Sequence, residues 1–190
     1  MIIGITGQTA TGKTSLAKAF AQRGYAVFDA DKTYKHILNT SDCMQKELLN
    51  EFKTLDRLVI LSEVIDDKKS LERLNGITHK YVTERIYEFI DENSGNNIVL
   101  DVPVPVEKGF IDITDIIIVT VASEDVQISR LMQRYGINEE QARKRIKMQK
   151  SQADYLSIGD IILNTDKTDQ GDLMTFIDMF ENTYIKSVKD

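Results

Sequence analysis

The chain has 190 residues, a net charge of −6 and 42% hydrophobic residues, enough for one sizeable domain without disulfides or structural metal. Its one cysteine, Cys43, excludes an intramolecular disulfide and a cysteine-rich zinc site. The acidic balance argues against nonspecific nucleic-acid binding, and no run approaches the ~18 apolar residues of a membrane helix, so a cytoplasmic protein without a signal peptide is expected.

Ile2-Ile3-Gly4-Ile5-Thr6 predicts a short buried strand followed by a glycine-bounded loop. From Lys13 to Arg23, Leu16, Ala17, Phe20 and Ala21 share one helical face. Gly24 stands just past it, where a helix C-terminus favours glycine. Tyr25–Phe28 predicts a second strand, ending at Asp29-Ala30-Asp31, and the stretch to about Gly95 reads as mostly helical. Asn97–Val102 predicts a third strand, closed by Pro103 and Pro105. The β-branched run Asp115–Val121 suits a parallel sheet covered on both faces. Ser123 with Glu124 and Asp125 predicts an N-cap and an acidic first turn. Asn138 and Gln141 have capping-box spacing and open a basic helix over residues 139–150, with Arg143, Lys144, Arg145, Lys147 and Lys150. A strand at Ile161–Leu163 and an amphipathic helix from about Asp169 complete the chain. This alternation predicts an α/β fold, a doubly wound parallel sheet of about five strands flanked by helices. Residues 1–190 are expected to form one domain, with a helical region at about 32–95 and a helical lid at about 127–150.

Gly7-Gln8-Thr9-Ala10-Thr11-Gly12-Lys13-Thr14 fits G-x-x-x-x-G-K-[ST] at every fixed position. Gly7 and Gly12 let successive backbone N–H groups turn inward around an anion. Lys13 brings a cation to the β and γ phosphates, and the Thr14 hydroxyl is placed to ligate Mg²⁺. The helix opening at Thr14 and Ser15 points its positive end at the same phosphates. The motif lies between a predicted strand and a predicted amphipathic helix, so residues 7–15 are expected to bind ATP.

The kind of nucleotide protein follows from the rest of the chain. A GTPase would carry Asn-Lys-x-Asp, but Asn164-Thr165-Asp166-Lys167 has those residue types in another order. A kinase needs an acceptor-side carboxylate and a cationic lid. Asp29 and Asp31 lie at the carboxyl end of a predicted strand, where doubly wound folds bind ligands, although Asp29 equally suits a helix N-cap. Arg130, Arg134 and Arg145 flank the turn Tyr135-Gly136-Ile137-Asn138, and arginines closing over phosphates offset charge in a loose phosphoryl-transfer transition state. Asp101 ends an apolar strand, as a carboxylate holding Mg²⁺ through water would, or as an ordinary turn residue would.

These residues resemble the dephospho-coenzyme A kinase family, with similarity through nearly the whole chain. Gly4-Ile5-Thr6-Gly7 leads into the phosphate loop as it does there. Gly24 through Asp29-Ala30-Asp31 is similar to the family's Gly-x-x-x-x-Asp-Ala-Asp, whose second aspartate, here Asp31, is the proposed catalytic base. Ile77-Thr78-His79 resembles the segment whose histidine lies near the acceptor, and Asp101-Val102-Pro103-Val104-Pro105-Val106-Glu107 the strand and loop usually written Pro-Leu-Leu-x-Glu. Gln127, Arg130, Arg134, Ala142, Arg145 and Gln149 match the lid. The resemblance implies ATP-dependent phosphorylation of the ribose 3′-hydroxyl of dephospho-coenzyme A, with Mg²⁺. It implies catalytic roles for Asp31, Lys13, Arg134 and Arg145, acceptor contacts from Asp31, His79 and Pro103, and metal contacts from Thr14 and Asp101. The alternatives are a sister kinase of another nucleotide-like acceptor or a nucleotide-binding homologue with little transfer activity. The chain departs from the family pattern at Gln8 and Ala10, which replace loop glycines, at Lys80, which replaces the proline after the histidine, and at Pro105, where leucine is usual. Oligomeric state is left open.

Overall fold

The computed structural model describes residues 1–64 and 67–185. In chain order the elements are β1 (Ile2–Thr6), α1 (Lys13–Gln22), β2 (Ala26–Asp29), α2 (Ala30–Thr40), α3 (Asp42–Phe52), α4 (Arg57–Val64) and α5 (Lys68–Glu92). They continue with β3 (Ile98–Asp101), β4 (Ile116–Val121), α6 (Glu124–Tyr135), α7 (Glu139–Lys147), α8 (Gln152–Leu156), β5 (Ile161–Asn164) and α9 (Gln170–Phe180). The sheet order is β2-β3-β1-β4-β5, and β1 pairs in parallel with both β3 and β4. The expected doubly wound sheet is present. Packing divides the described residues into two compact units, one within 1–28 and 95–185, the other within 29–94.

In the first unit the central strands are buried on both faces, because their β-branched side chains have helices or loops on either side. Leu16 and Phe20 of α1 and Leu173, Ile177 and Phe180 of α9 form one core with Ile3, Ile5, Val99 and Ile118. On β1, Gly4 is dictated by close approach: a Cβ there would lie 2.7 Å from Phe110 Cζ and 2.9 Å from Thr114 Cγ2. The second unit is helical, with Leu38, Met44, Leu48, Phe52, Ile60 and Val64 at its centre.

Most helix ends follow local chemistry. Asn138 and Gln141 form the expected reciprocal capping box on α7, and Gly136 ends α6 in the left-handed region at φ 62°. Ser123 occupies the N-cap of α6, but its side chain makes no capping bond there. Its backbone N–H instead donates to the Asp166 carboxylate. The basic helix is shorter than expected: α7 stops at Lys147, and a separate short helix, α8, begins under its own Ser151–Asp154 capping box.

Candidate active site

The phosphate loop is built by strain and buried polar contacts. Gly7 (φ 141°) and Gly12 (φ 92°) occupy backbone conformations that side chains rarely tolerate. A Cβ on Gly7 would lie 2.3 Å from the Thr120 carbonyl oxygen, and one on Gly12 would lie 3.2 Å from the Thr165 methyl group. Beneath the loop the Thr11 and Thr120 hydroxyls meet at 2.7 Å, and the Thr165 hydroxyl donates to the Thr11 carbonyl at 2.8 Å. These threonines are buried, so each contact satisfies a polar group that would otherwise be costly to desolvate.

Lys13 opens α1, and its ammonium folds back to donate to the carbonyls of Gly7 (2.9 Å) and Gln8 (2.7 Å). Thr14, one residue on, donates its hydroxyl to Asp101 Oδ2 at 3.2 Å. Asp101 is buried at the end of β3. A cation, a hydroxyl and a carboxylate thus converge on the N-terminus of α1, whose dipole favours an anion. Among the described residues no group of three or more His, Cys, Asp or Glu side chains could hold a metal ion. Mg²⁺ does not require such a group, because it is held by one or two protein oxygens with water and phosphate. The Thr14–Asp101 pair fits that donor set.

Sequence reasoning missed most of what holds this loop. Arg130 of α6 donates to the Ala10 carbonyl at 3.0 Å and to the Thr165 carbonyl at 2.6 Å. Its guanidinium is thereby committed to bracing the loop. The Thr9 N–H donates to Gln149 Oε1 at 2.6 Å, Gln8 Nε2 donates to the Lys150 carbonyl at 3.0 Å, and Gln127 Nε2 reaches Gln8 Oε1 at 3.3 Å. Ala10 sits at φ 60°, a conformation costing a non-glycine residue about 1 kcal/mol. It also packs against the lid cluster of Ile128, Leu131, Ala142 and Ile146. Both departures from the family's glycines therefore face residues 127–150. The detectable signal was these residues' unusual identity, not their partners.

The arginines of α6 and α7 divide by partner. Arg143 pairs with Glu139 and Glu124, and these carboxylates hold its pKa above the ordinary range. Arg134 and Arg145 have no carboxylate partner among the described residues, and both guanidinium groups lie against the Tyr135 ring, at 5.2 and 4.5 Å from its centroid. Pro103 follows β3, and its carbonyl accepts from the buried Tyr155 hydroxyl at 3.1 Å. Burial raises the Tyr155 pKa.

In the second unit Asp29 is the N-cap of α2, accepting from the Lys32 N–H at 2.9 Å. Asp31 lies in the first turn of α2, exposed, with no side-chain hydrogen bond or ion pair to another described residue. Asp29 is thus committed to capping α2, and Asp31 is not. His79 is half-buried on α5. Lys80, the departure beside it, donates to Glu47 Oε1 of α3 at 2.9 Å, and the Tyr81 hydroxyl donates to the same oxygen at 2.7 Å. These two donors lower the Glu47 pKa.

A five-stranded parallel sheet that opens on a strained phosphate loop, with a buried carboxylate at the end of the neighbouring strand β3, defines a P-loop nucleotide-binding protein. The dephospho-CoA kinase family profile matches residues 1–170. A dephospho-CoA kinase of Fusobacterium nucleatum is 34% identical over 171 residues, covering 86% of this chain and 88% of that one. Among solved structures, a Thermus thermophilus protein superposes with a TM-score of 0.81 at 23% identity, covering 97% of each chain. The dephospho-CoA kinase from Campylobacter jejuni superposes with a TM-score of 0.67 at 19% identity, covering 97% of this chain and 98% of that one. The chain belongs to the dephospho-CoA kinase family and is an ATP-dependent phosphotransferase.

Proposed function

We propose that this chain transfers the γ-phosphoryl group of ATP to the ribose 3′-hydroxyl of dephospho-coenzyme A in the cytoplasm, using Mg²⁺. The observation that carries the phosphate half is the convergence of Lys13, Thr14 and buried Asp101 on the N-terminus of α1. The loop N–H groups of residues 7–15 hold the triphosphate. The Lys13 ammonium, which now spans two loop carbonyls, turns to the β and γ oxygens when those arrive. Thr14 would hold Mg²⁺ through its hydroxyl and Asp101 through water, and the ion would offset charge on the β and γ phosphates.

Residues 29–94 carry the acceptor half in this reading. Asp31 accepts a hydrogen bond from the attacking hydroxyl and takes its proton as the P–O bond forms. Alignment of the attacking oxygen is its main contribution. His79 donates to an oxygen of the acceptor, and Pro103 shapes the wall of the acceptor pocket. Arg134 and Arg145 neutralise the transferring group, and the lid at about 127–150 excludes water that would hydrolyse ATP.

ADP formation measured with and without dephospho-coenzyme A tests this reading. Acceptor-stimulated release is expected, and Asp31→Asn should lower kcat by about a hundredfold or more while ATP affinity stays within twofold. Unchanged turnover in that variant would remove Asp31 from the mechanism. Stimulation by another nucleotide-like acceptor, with none by dephospho-coenzyme A, would reassign the substrate.

A further inference from the structure

Arg134 and Arg145, unlike Arg143, have no carboxylate among the described residues to fix their direction. What they share is one aromatic ring. Tyr135 ends α6, and the two guanidinium carbons lie 5.2 and 4.5 Å from its centroid, within the ~6 Å over which a cation is drawn to a ring face. The two arginines come from different elements: Arg134 is the ring's neighbour in α6, whereas Arg145 lies on α7, beyond the Gly136–Asn138 turn.

A carboxylate partner would hold a guanidinium tightly but also cancel the charge a phosphate needs. A ring holds it in place and leaves its charge and its N–H donors available. We propose that Tyr135 is a positioning residue that pre-orients Arg145, and with it Arg134, for the transferring phosphoryl group. This rests on the reading that the lid arginines act on that group. Tyr135 is 46% exposed, so its ring contributes little to the core and its loss should leave folding intact.

The test is steady-state kinetics with ATP and dephospho-coenzyme A for Y135F, Y135L, Y135Q, R145A and Y135L/R145A, each with its melting temperature. Y135F, which keeps the ring face, is expected within twofold of the unaltered enzyme. Y135L and Y135Q should lose about three- to tenfold in kcat, with KM for ATP within twofold and melting within about 2 °C. In the R145A background Y135L should cost clearly less than it does alone, because only Arg134 is left for the ring to position. Unaltered kcat in Y135L and Y135Q, with R145A impaired, overturns the role of Tyr135 and leaves the lid-arginine reading standing. An equal further loss on adding Y135L to R145A also overturns it. Unaltered kcat in R145A itself overturns both. Y135Q carries the test if Y135L fails to fold.

Discussion

At the scale of single residues, the phosphate loop is governed by what glycine permits. Gly7 combines a positive φ of 141° with a carbonyl oxygen 2.3 Å from where a Cβ would stand. Neither can be relieved by rotating a side chain, because the obstructing atom is backbone of β4. Gly7→Ala should therefore cost about 3 kcal/mol and weaken ATP binding as the loop opens. Urea unfolding of the variant measures the first effect and nucleotide titration the second. A variant as stable as the parent would show that the loop can be rebuilt around a methyl group. Ala10 presents the opposite balance. Its φ of 60° is also unfavourable, but its methyl group packs against the lid cluster, which offsets the strain.

At the scale of elements, the proposed lid comprises α6 and α7, joined by a turn whose chemistry is local: a left-handed glycine closes one helix and a capping box opens the next. Its arginines are distinguished by their neighbours. Arg143 spends its charge on Glu139 and Glu124, in exposed pairs of a kind worth about 0–1 kcal/mol. Arg143→Ala should thus leave kcat within about twofold and melting nearly unchanged. A large loss of kcat would mean that Arg143 also reaches the phosphates. The same lid shows why only part of the site was legible in the sequence. The loop glycines, Lys13, Thr14 and the Asn138–Gln141 box follow short spacings fixed by backbone geometry, so they can be read along the chain. Asp31 could be separated from Asp29 only through family resemblance, since either could cap a helix. Arg130 to Ala10, Thr165 to Thr11 and Gln149 to Thr9 join residues more than a hundred positions apart. No local pattern encodes those pairs. They follow from the sheet order, which carries the segments after β1, β4 and β5 to the same end of the sheet.

At the scale of the whole molecule, stability joins the nucleotide half to distant parts of the chain. Tyr25, just after α1, meets Phe20 edge-on at 4.9 Å, and Phe20 meets Phe180 of α9 at 5.7 Å. Such pairs contribute about 0.5–1.5 kcal/mol beyond their buried area, and they tie the helix behind the phosphate loop to the end of the chain. Burial, and secondarily the Glu181 carboxylate, push the Tyr25 phenol from 10.0 up to about 12. The folded state therefore favours the neutral phenol more strongly than the unfolded chain does. That preference contributes fully below pH 10 and is lost as pH rises from 10 through 12. Burial raises Tyr34 and Tyr155 in the same direction, so all three should steepen alkaline unfolding. Unfolding free energy measured in urea from pH 9 to 12 is expected to fall most steeply above pH 10, and Tyr25→Phe should flatten part of that fall. Parallel curves for the parent and the variant would mean that the Tyr25 phenol ionises in the folded state as readily as it does in water.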